Sequence, residues 1–417
     1  MLKRALLALL AVAVLGATAA GLWYFRPWSP YSPAKLAAMQ QPEQLPYAFR
    51  NMDEYFPALP VPAGDAPRPL PEQPESREVT YTFEGRTRTL EEFLEETRTQ
   101  GLMVLTDGVI VHEQYRMGAR AQDRFTSWSV AKSFVATVVA MAVKEGRIAS
   151  LDDPVSRYAP QFAGSGFADV SLRNLLTMSS GVEFNEDYAA DDSDIRPYFF
   201  GTFVLGRDAD ELLLPFQRSR APGTDFHYIS PNSHVLSAVL RGVYGKPLPE
   251  IISEKIWGPL GMEADAYWLR NRDDDEGLAL GYCCLNARLR DYARFGQFYL
   301  EASRGTGLGP EVLPEDWVGR LNQPASPNHG PGLEDYQGRG YSSHFWIPPD
   351  PDGEFMAAGV YGQYIFIDPV RNVVIARNSA DVEWSARQRE SAAVMKALAR
   401  AYGVQEPVQD LEPARQP

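Results

Sequence analysis

The apolar positions of this chain fall into three regimes. Residues 5–25 run without a charge, about 31 Å as a helix, enough to cross the hydrocarbon core of a bilayer. Lys3 and Arg4 ahead of the run are basic, and Trp23, Tyr24, Trp28 and Tyr31 suit the far interface. Between 26 and about 88, prolines interrupt every run, as in Pro57-Ala58-Leu59-Pro60-Val61-Pro62 and Pro67-Arg68-Pro69-Leu70-Pro71. This composition predicts an extended stalk or wrap and not a packed domain. Within it, 51–56 is amphipathic enough to dock on the rest.

From 89 onward the patterning is that of a globular body. Thr89-Leu90-Glu91-Glu92 reads as a capping box opening a short helix to about Thr99. The runs 102–105 and 109–115 alternate around Thr106-Asp107-Gly108, which predicts a β-hairpin. An apolar helix follows over 130–143 and stops at Lys144-Glu145-Gly146. Helical spacing returns at 172–178, 234–243 and 288–300, whereas 183–206 is acidic, aromatic and irregular. Strands are predicted at 341–347, 354–358, 361–368 and 373–378, with a closing helix over 386–402 capped by Gly403. Hairpin, helical middle, strand meander and final helix together predict an α+β fold. The first and last segments join in one antiparallel sheet (about 89–125 and 280–402), and a helical part (about 126–279) is inserted.

Composition narrows the function. The chain has 417 residues, 45% of them hydrophobic, so a body of roughly 330 residues can bury about 75% of its unfolded surface. A net charge of −14 argues against nucleic acid and against broad docking on anionic lipid. Cys283 and Cys284 are adjacent. Neighbours rarely meet disulfide geometry, so both are expected reduced and buried. The five histidines are scattered, and His112-Glu113 lacks the second histidine of a zinc-protease helix; no metal or organic cofactor is expected. The first 25 residues read as an uncleaved signal anchor in preference to a signal peptide cut near 17–20, because the apolar run continues into aromatics. Either way the body is exported, and a periplasmic location is expected.

The chemistry centres on Ser129-Val130-Ala131-Lys132 at the head of the first apolar helix. A three-residue offset places hydroxyl and amine on one helical face. A lysine whose pKa is lowered by burial can take the serine proton, and a helix start favours an oxyanion. The pattern alone is weak, because Ser32-Pro33-Ala34-Lys35 repeats it. Context favours Ser129: lysine is scarce, with seven in the chain, and an unpaired lysine in an uncharged helix is costly. A second candidate is Tyr228, in Pro222-Gly223-Thr224-Asp225-Phe226-His227-Tyr228-Ile229-Ser230. A phenol beside a cationic lysine is expected to have a lowered pKa and to shuttle a proton. A third is Gly359-Val360-Tyr361-Gly362 at a strand start, where glycines admit close approach of backbone or ligand. The Val360 N–H, with that of Ser129, could form an oxyanion hole.

Ser129-Val130-Ala131-Lys132, Tyr228-Ile229-Ser230, 175–181 and the Gly359/Gly362 strand occur in an order that resembles penicillin-recognising serine hydrolases. The likeness is to the class C β-lactamase-like branch, with its aminohexanoate-oligomer hydrolases and related esterases. It implies an α/β sandwich plus an all-α domain with the site between them. Ser129 would be the nucleophile, Lys132 and Tyr228 the proton-transfer pair and Val360 N–H an oxyanion donor. Tyr188 and Asp194 fall where related hydrolases touch substrate, although a solvated acidic loop is the competing reading. Two departures stand out: Ser230 replaces the asparagine of Tyr-x-Asn, and 357–359 is Ala-Ala-Gly in place of Lys-Thr-Gly. No cation is therefore expected there to hold a β-lactam carboxylate. The resemblance implies a serine hydrolase acting on a small amide or ester. The rivals are a D-alanyl carboxypeptidase on cell-wall peptides and a non-catalytic cell-wall or partner-binding module.

Overall fold

The computed structural model describes residues 2–330, 332 and 336–404. Its core is a seven-stranded antiparallel sheet in the order Val109–Tyr115, Thr99–Thr106, Val373–Ser379, Gln363–Asp368, Phe355–Gly359, Phe345–Ile347, Gly340–Ser342. The first hairpin turns at Asp107 and Gly108, with φ of 51° and 80°, the geometry of a two-residue turn whose twist matches its strands. The last strand then pairs with the first, Val373 opposite Thr106 and Val374 opposite Leu105.

Alternation along these strands feeds two cores. Val374 and Ala376 face the Leu289–Ser303 helix, in the cluster that holds Phe295 and Leu105. Val373 and Ile375 face the Gln388–Tyr402 helix, with Val394 and Leu398. Period-two side-chain direction is what lets one strand serve both layers. Ahead of the sheet, Thr89 caps the Leu90–Glu96 helix: its hydroxyl accepts from Glu92 N–H at 3.3 Å, and its own N–H donates to the Glu92 carboxylate at 2.7 Å.

The inserted helices Ala131–Lys144 and Ser230–Tyr244 are almost wholly buried. Phe134 stacks on Phe295 at 3.8 Å and joins this region to the sheet's helix. Three segments differ from the sequence reading, the first being Ala266–Leu269, a strand inside the part read as wholly helical. Residues 341–347 form a tight hairpin and not one strand, with Ser343 and His344 at φ of 47° and 64°. Tertiary bonds hold this turn, since His344 Nδ1 meets the Leu176 carbonyl at 2.9 Å and Nε2 meets Ser233 Oγ at 2.9 Å. Within 183–206, Ile195–Phe199 is helical and runs on as a π-helical turn, Phe200–Val204. Phe199 and Phe203 pack there at 4.6 Å.

Residues 2–25 form one helix, apolar and long enough to cross a membrane, with no buried side chain. The proline-rich segment after it lies along the body. Leu36, Met39, Phe49, Met52 and Phe56 are buried, and Ala58–Val61 pairs with Ala266–Leu269 in a second, four-stranded sheet. The prolines leave short apolar pieces between kinks, and each piece docks separately. Ser32, in the second Ser-x-x-Lys, caps the Pro33–Met39 helix by accepting from Lys35 N–H at 3.3 Å. If this segment is integral to the body, Met52→Ala will lower its stability by about 2 kcal/mol or more in chemical denaturation; an independent stalk would leave the midpoint unchanged.

Candidate active site

The site forms where the end of the Phe355–Gly359 strand meets the head of the Ala131–Lys144 helix. Ser129 sits in a single 3₁₀ turn, Trp128–Val130, one step ahead of the helix. Trp128, just before it, has φ of 43°, a left-handed conformation unusual for an aromatic residue. Trp128 is held there by Phe49 at 5.5 Å and Tyr361 at 5.8 Å. Ser129 is thereby presented half-buried between the buried Ser127 and Val130.

Lys132 follows one turn on and is 2% exposed. Its Nζ lies 2.9 Å from Ser129 Oγ and donates to the Tyr282 carbonyl at 2.8 Å. Burial draws the ammonium's pKa down from its ordinary 10.5 to about 8, and the carboxylate of Glu186 opposes that fall. At neutral pH roughly a tenth of the amine is therefore free to accept a proton. The Tyr228 ring lies 5.2 Å from Lys132 Nζ, and hydrogen bonding toward Ser129 favours its phenolate form. The ring stacks on Trp346 at 5.3 Å. Its pKa is raised, not lowered as the sequence reading expects: burial and then the Glu186 charge outweigh the bond to Ser129. Tyr228 thus rests as a phenol, and Lys132 is the member of the pair drawn toward neutrality.

Gly359 ends its strand beside this turn. A Cβ there would stand 2.7 Å from Ser127 O and 3.0 Å from Ser129 N, so only glycine allows the two backbones to approach. Val360 is the next residue, and both Val360 and Ser129 line the cleft. Ser230 opens the Ser230–Tyr244 helix, and its N–H and Oγ both donate to the Glu186 carboxylate, the latter at 2.6 Å. The Tyr188 hydroxyl donates to Glu186 at 3.3 Å, and its ring meets Trp384 edge-on at 6.3 Å. Asp194 does not line the cleft; its carboxylate accepts from Asn185 N–H at 2.8 Å and closes the loop.

Three features escape the sequence reading. Glu186 lies in the acidic loop where only Tyr188 and Asp194 are candidates, and its own pKa is raised by enclosure. Arg339, 6% exposed, lines the same cavity as Ser129 and Gly359. A cation is therefore available in the cleft after all, reached from the strand edge and not from 357–359. It packs 3.7 Å above the Trp346 ring, its Nε donates to Tyr336 O at 3.2 Å, and among the described residues no carboxylate pairs with it. Cys283 and Cys284, expected reduced, are joined to each other. Cys284 has φ of 88°, a backbone departure invisible to a sequence rule built on extended neighbours. His234, by contrast, is structural, bonded through Nε2 to Asp210 at 2.8 Å. Among the described residues no cluster suited to a metal ion occurs.

The family profile described as Beta-lactamase matches residues 86–399, and the chain belongs to that family. It is 28% identical over 355 residues, 83% of this chain and 88% of the other, to a 6-aminohexanoate-dimer hydrolase of Paenarthrobacter ureafaciens. A D-aminopeptidase of Brucella anthropi is 28% identical over 158 residues, 36% of this chain and 27% of that protein. A Bacillus anthracis structure assigned as a 6-aminohexanoate-dimer hydrolase superposes with a TM-score of 0.74 at 25% identity, covering 86% of this chain and 94% of that one. The protein is a serine hydrolase with the β-lactamase-like fold.

The electrostatics of the pair give a direct measurement. Titration of Lys132 by its side-chain NMR shifts is expected to centre near pH 8. Glu186→Gln removes a charge that favours the ammonium, so the midpoint should move to lower pH; a rise, or a midpoint near 10.5, would contradict this electrostatic account.

Proposed function

We propose that the protein hydrolyses an amide or ester bond of a small molecule through an acyl-enzyme on Ser129. One observation carries the reading: a buried amine with a lowered pKa lies 2.9 Å from a half-buried serine hydroxyl. Neutral Lys132 takes the Ser129 proton as Oγ attacks the carbonyl carbon. The backbone N–H groups of Ser129 and Val360 receive the developing oxyanion. Tyr228 gives its proton to the leaving alcohol or amine and is replenished from Lys132. Water then attacks the acyl-enzyme by the same route in reverse. Relatives named as amide hydrolases support this reaction class, and the apolar helix Leu2–Phe25 supports a body held at the outer face of the cytoplasmic membrane.

Arg339 favours a second reading of the leaving group. A buried arginine with no described carboxylate partner suits a substrate that ends in a carboxylate, as a peptide-like amide does. This restores the carboxypeptidase alternative that the Ala-Ala-Gly stretch had weakened.

Ser129→Ala should reduce turnover of p-nitrophenyl acetate by at least about 10³-fold while circular dichroism is unchanged, and a fluorophosphonate should label Ser129 and not Ser32. Persistent hydrolysis in the pure variant would remove the mechanism. For the leaving group, Arg339→Gln is expected to raise KM for carboxylate-ended amides by about tenfold and to leave uncharged esters little affected. Equal effects on both classes would discount the second reading.

A further inference from the structure

The cleft has two arms that meet at Ser129. The polar arm, about 720 Å³, runs past Glu186, Tyr228 and Arg339. The other, about 480 Å³, is walled by Leu36, Met39 and Phe49 from the N-terminal segment and by Phe199, Val204 and Cys283 from the body. Ser129 and Val360 border both arms, whereas Tyr228 borders only the polar one. A leaving group protonated by Tyr228 departs on the polar side. The group that stays bonded to Ser129 extends into the apolar arm.

We propose that the apolar arm is an acyl-chain site and that the substrate is an ester or amide of a medium- or long-chain fatty acid. The proposal rests on the acyl-enzyme reading above and names its acyl group. At about 480 Å³ the arm lies in the size range of pockets that enclose whole small molecules. An acetyl group would leave most of it as water against apolar walls, and an extended hydrocarbon chain would displace that water.

The arm's open edge points the same way. Arg26, the first residue past the apolar helix, donates through Nη2 to the Val204 carbonyl at 2.9 Å. Val204 lines the arm, Phe200 lines it while 47% exposed, and Leu205 beside them is 48% exposed. Phe25 and Trp28 at the helix end are 65% and 68% exposed. A hydrocarbon chain at a bilayer surface would meet this edge first. The segment that leaves the apolar helix also builds one wall of the arm. In the reaction, the bond between Ser129 Oγ and the acyl carbon forms as the substrate's C–O or C–N bond breaks. The alcohol or amine leaves with the proton from Tyr228, and water releases the free fatty acid.

The test uses the full-length protein in phosphatidylcholine/phosphatidylglycerol vesicles, assayed with dissolved p-nitrophenyl acetate, butyrate, hexanoate and octanoate. The ratio kcat/KM is expected to climb about two- to fourfold per methylene up to octanoate. Val204→Trp should cut the octanoate-to-acetate ratio at least about tenfold, and Met39→Trp, on the opposite wall, should shift it the same way if the first variant does not fold. A flat or falling series with Ser129-dependent acetate turnover overturns the acyl site and leaves the serine mechanism standing. Acetate turnover that survives Ser129→Ala overturns the mechanism itself. Release of fatty acid from the vesicle lipids assigns the bilayer as the source, and turnover of the dissolved octanoyl ester alone assigns a soluble acyl compound.

Discussion

The candidate cleft depends on a buried amine. Taking an ammonium group out of water is so costly that the group either finds a counter-charge or loses its proton. Lys132 does part of each. Its immediate partners are neutral oxygens, of Ser129 and of the Tyr282 backbone, and the Glu186 carboxylate acts from further off. The compromise leaves the amine near the point where it can both give and take a proton around neutral pH. The surrounding structure serves that balance: the buried helix keeps water from Lys132, the loop at 185–194 brings Glu186 in, and Ser230 fixes that carboxylate with two donors.

How far the sequence discloses this follows the locality of each signal. The Thr89 capping box, the Asp107-Gly108 turn and the long apolar helices are local patterns, and the structure shows each of them. Ser129 and Lys132 are one turn apart and are legible together. Their meeting with Tyr228 is legible only through the family's order of motifs, because no periodicity links residues a hundred positions apart. Glu186 and Arg339 are not legible at all, since a carboxylate in an acidic loop and an arginine before a strand look like solvated charges until the fold encloses them. The Tyr228 pKa is misjudged for a related reason. The lysine is visible in the chain, and the burial and the Glu186 charge that raise the phenol are not.

The proline-rich segment carries a similar lesson. Its composition forbids long helices and strands, and from that alone a stalk and a wrap are equally fair inferences. Short apolar pieces need no regular structure of their own if the body offers each a place. Here Leu36, Phe49 and Phe56 are as buried as many residues of the core. The segment even supplies a strand to a sheet, paired from Ala58 with Leu269 to Val61 with Ala266.

Gly359 ties these elements together in a way that reaches beyond the cleft. The last half of the chain can seat its strand end beside the serine turn only because a hydrogen atom occupies the place of a methyl group. Two stretches separated by some 230 positions therefore share a clearance smaller than one carbon atom. Drift in either the serine turn or the strand edge must be matched by the other, so this part of the molecule is free to vary in its side chains but hardly at all in the path of its backbone.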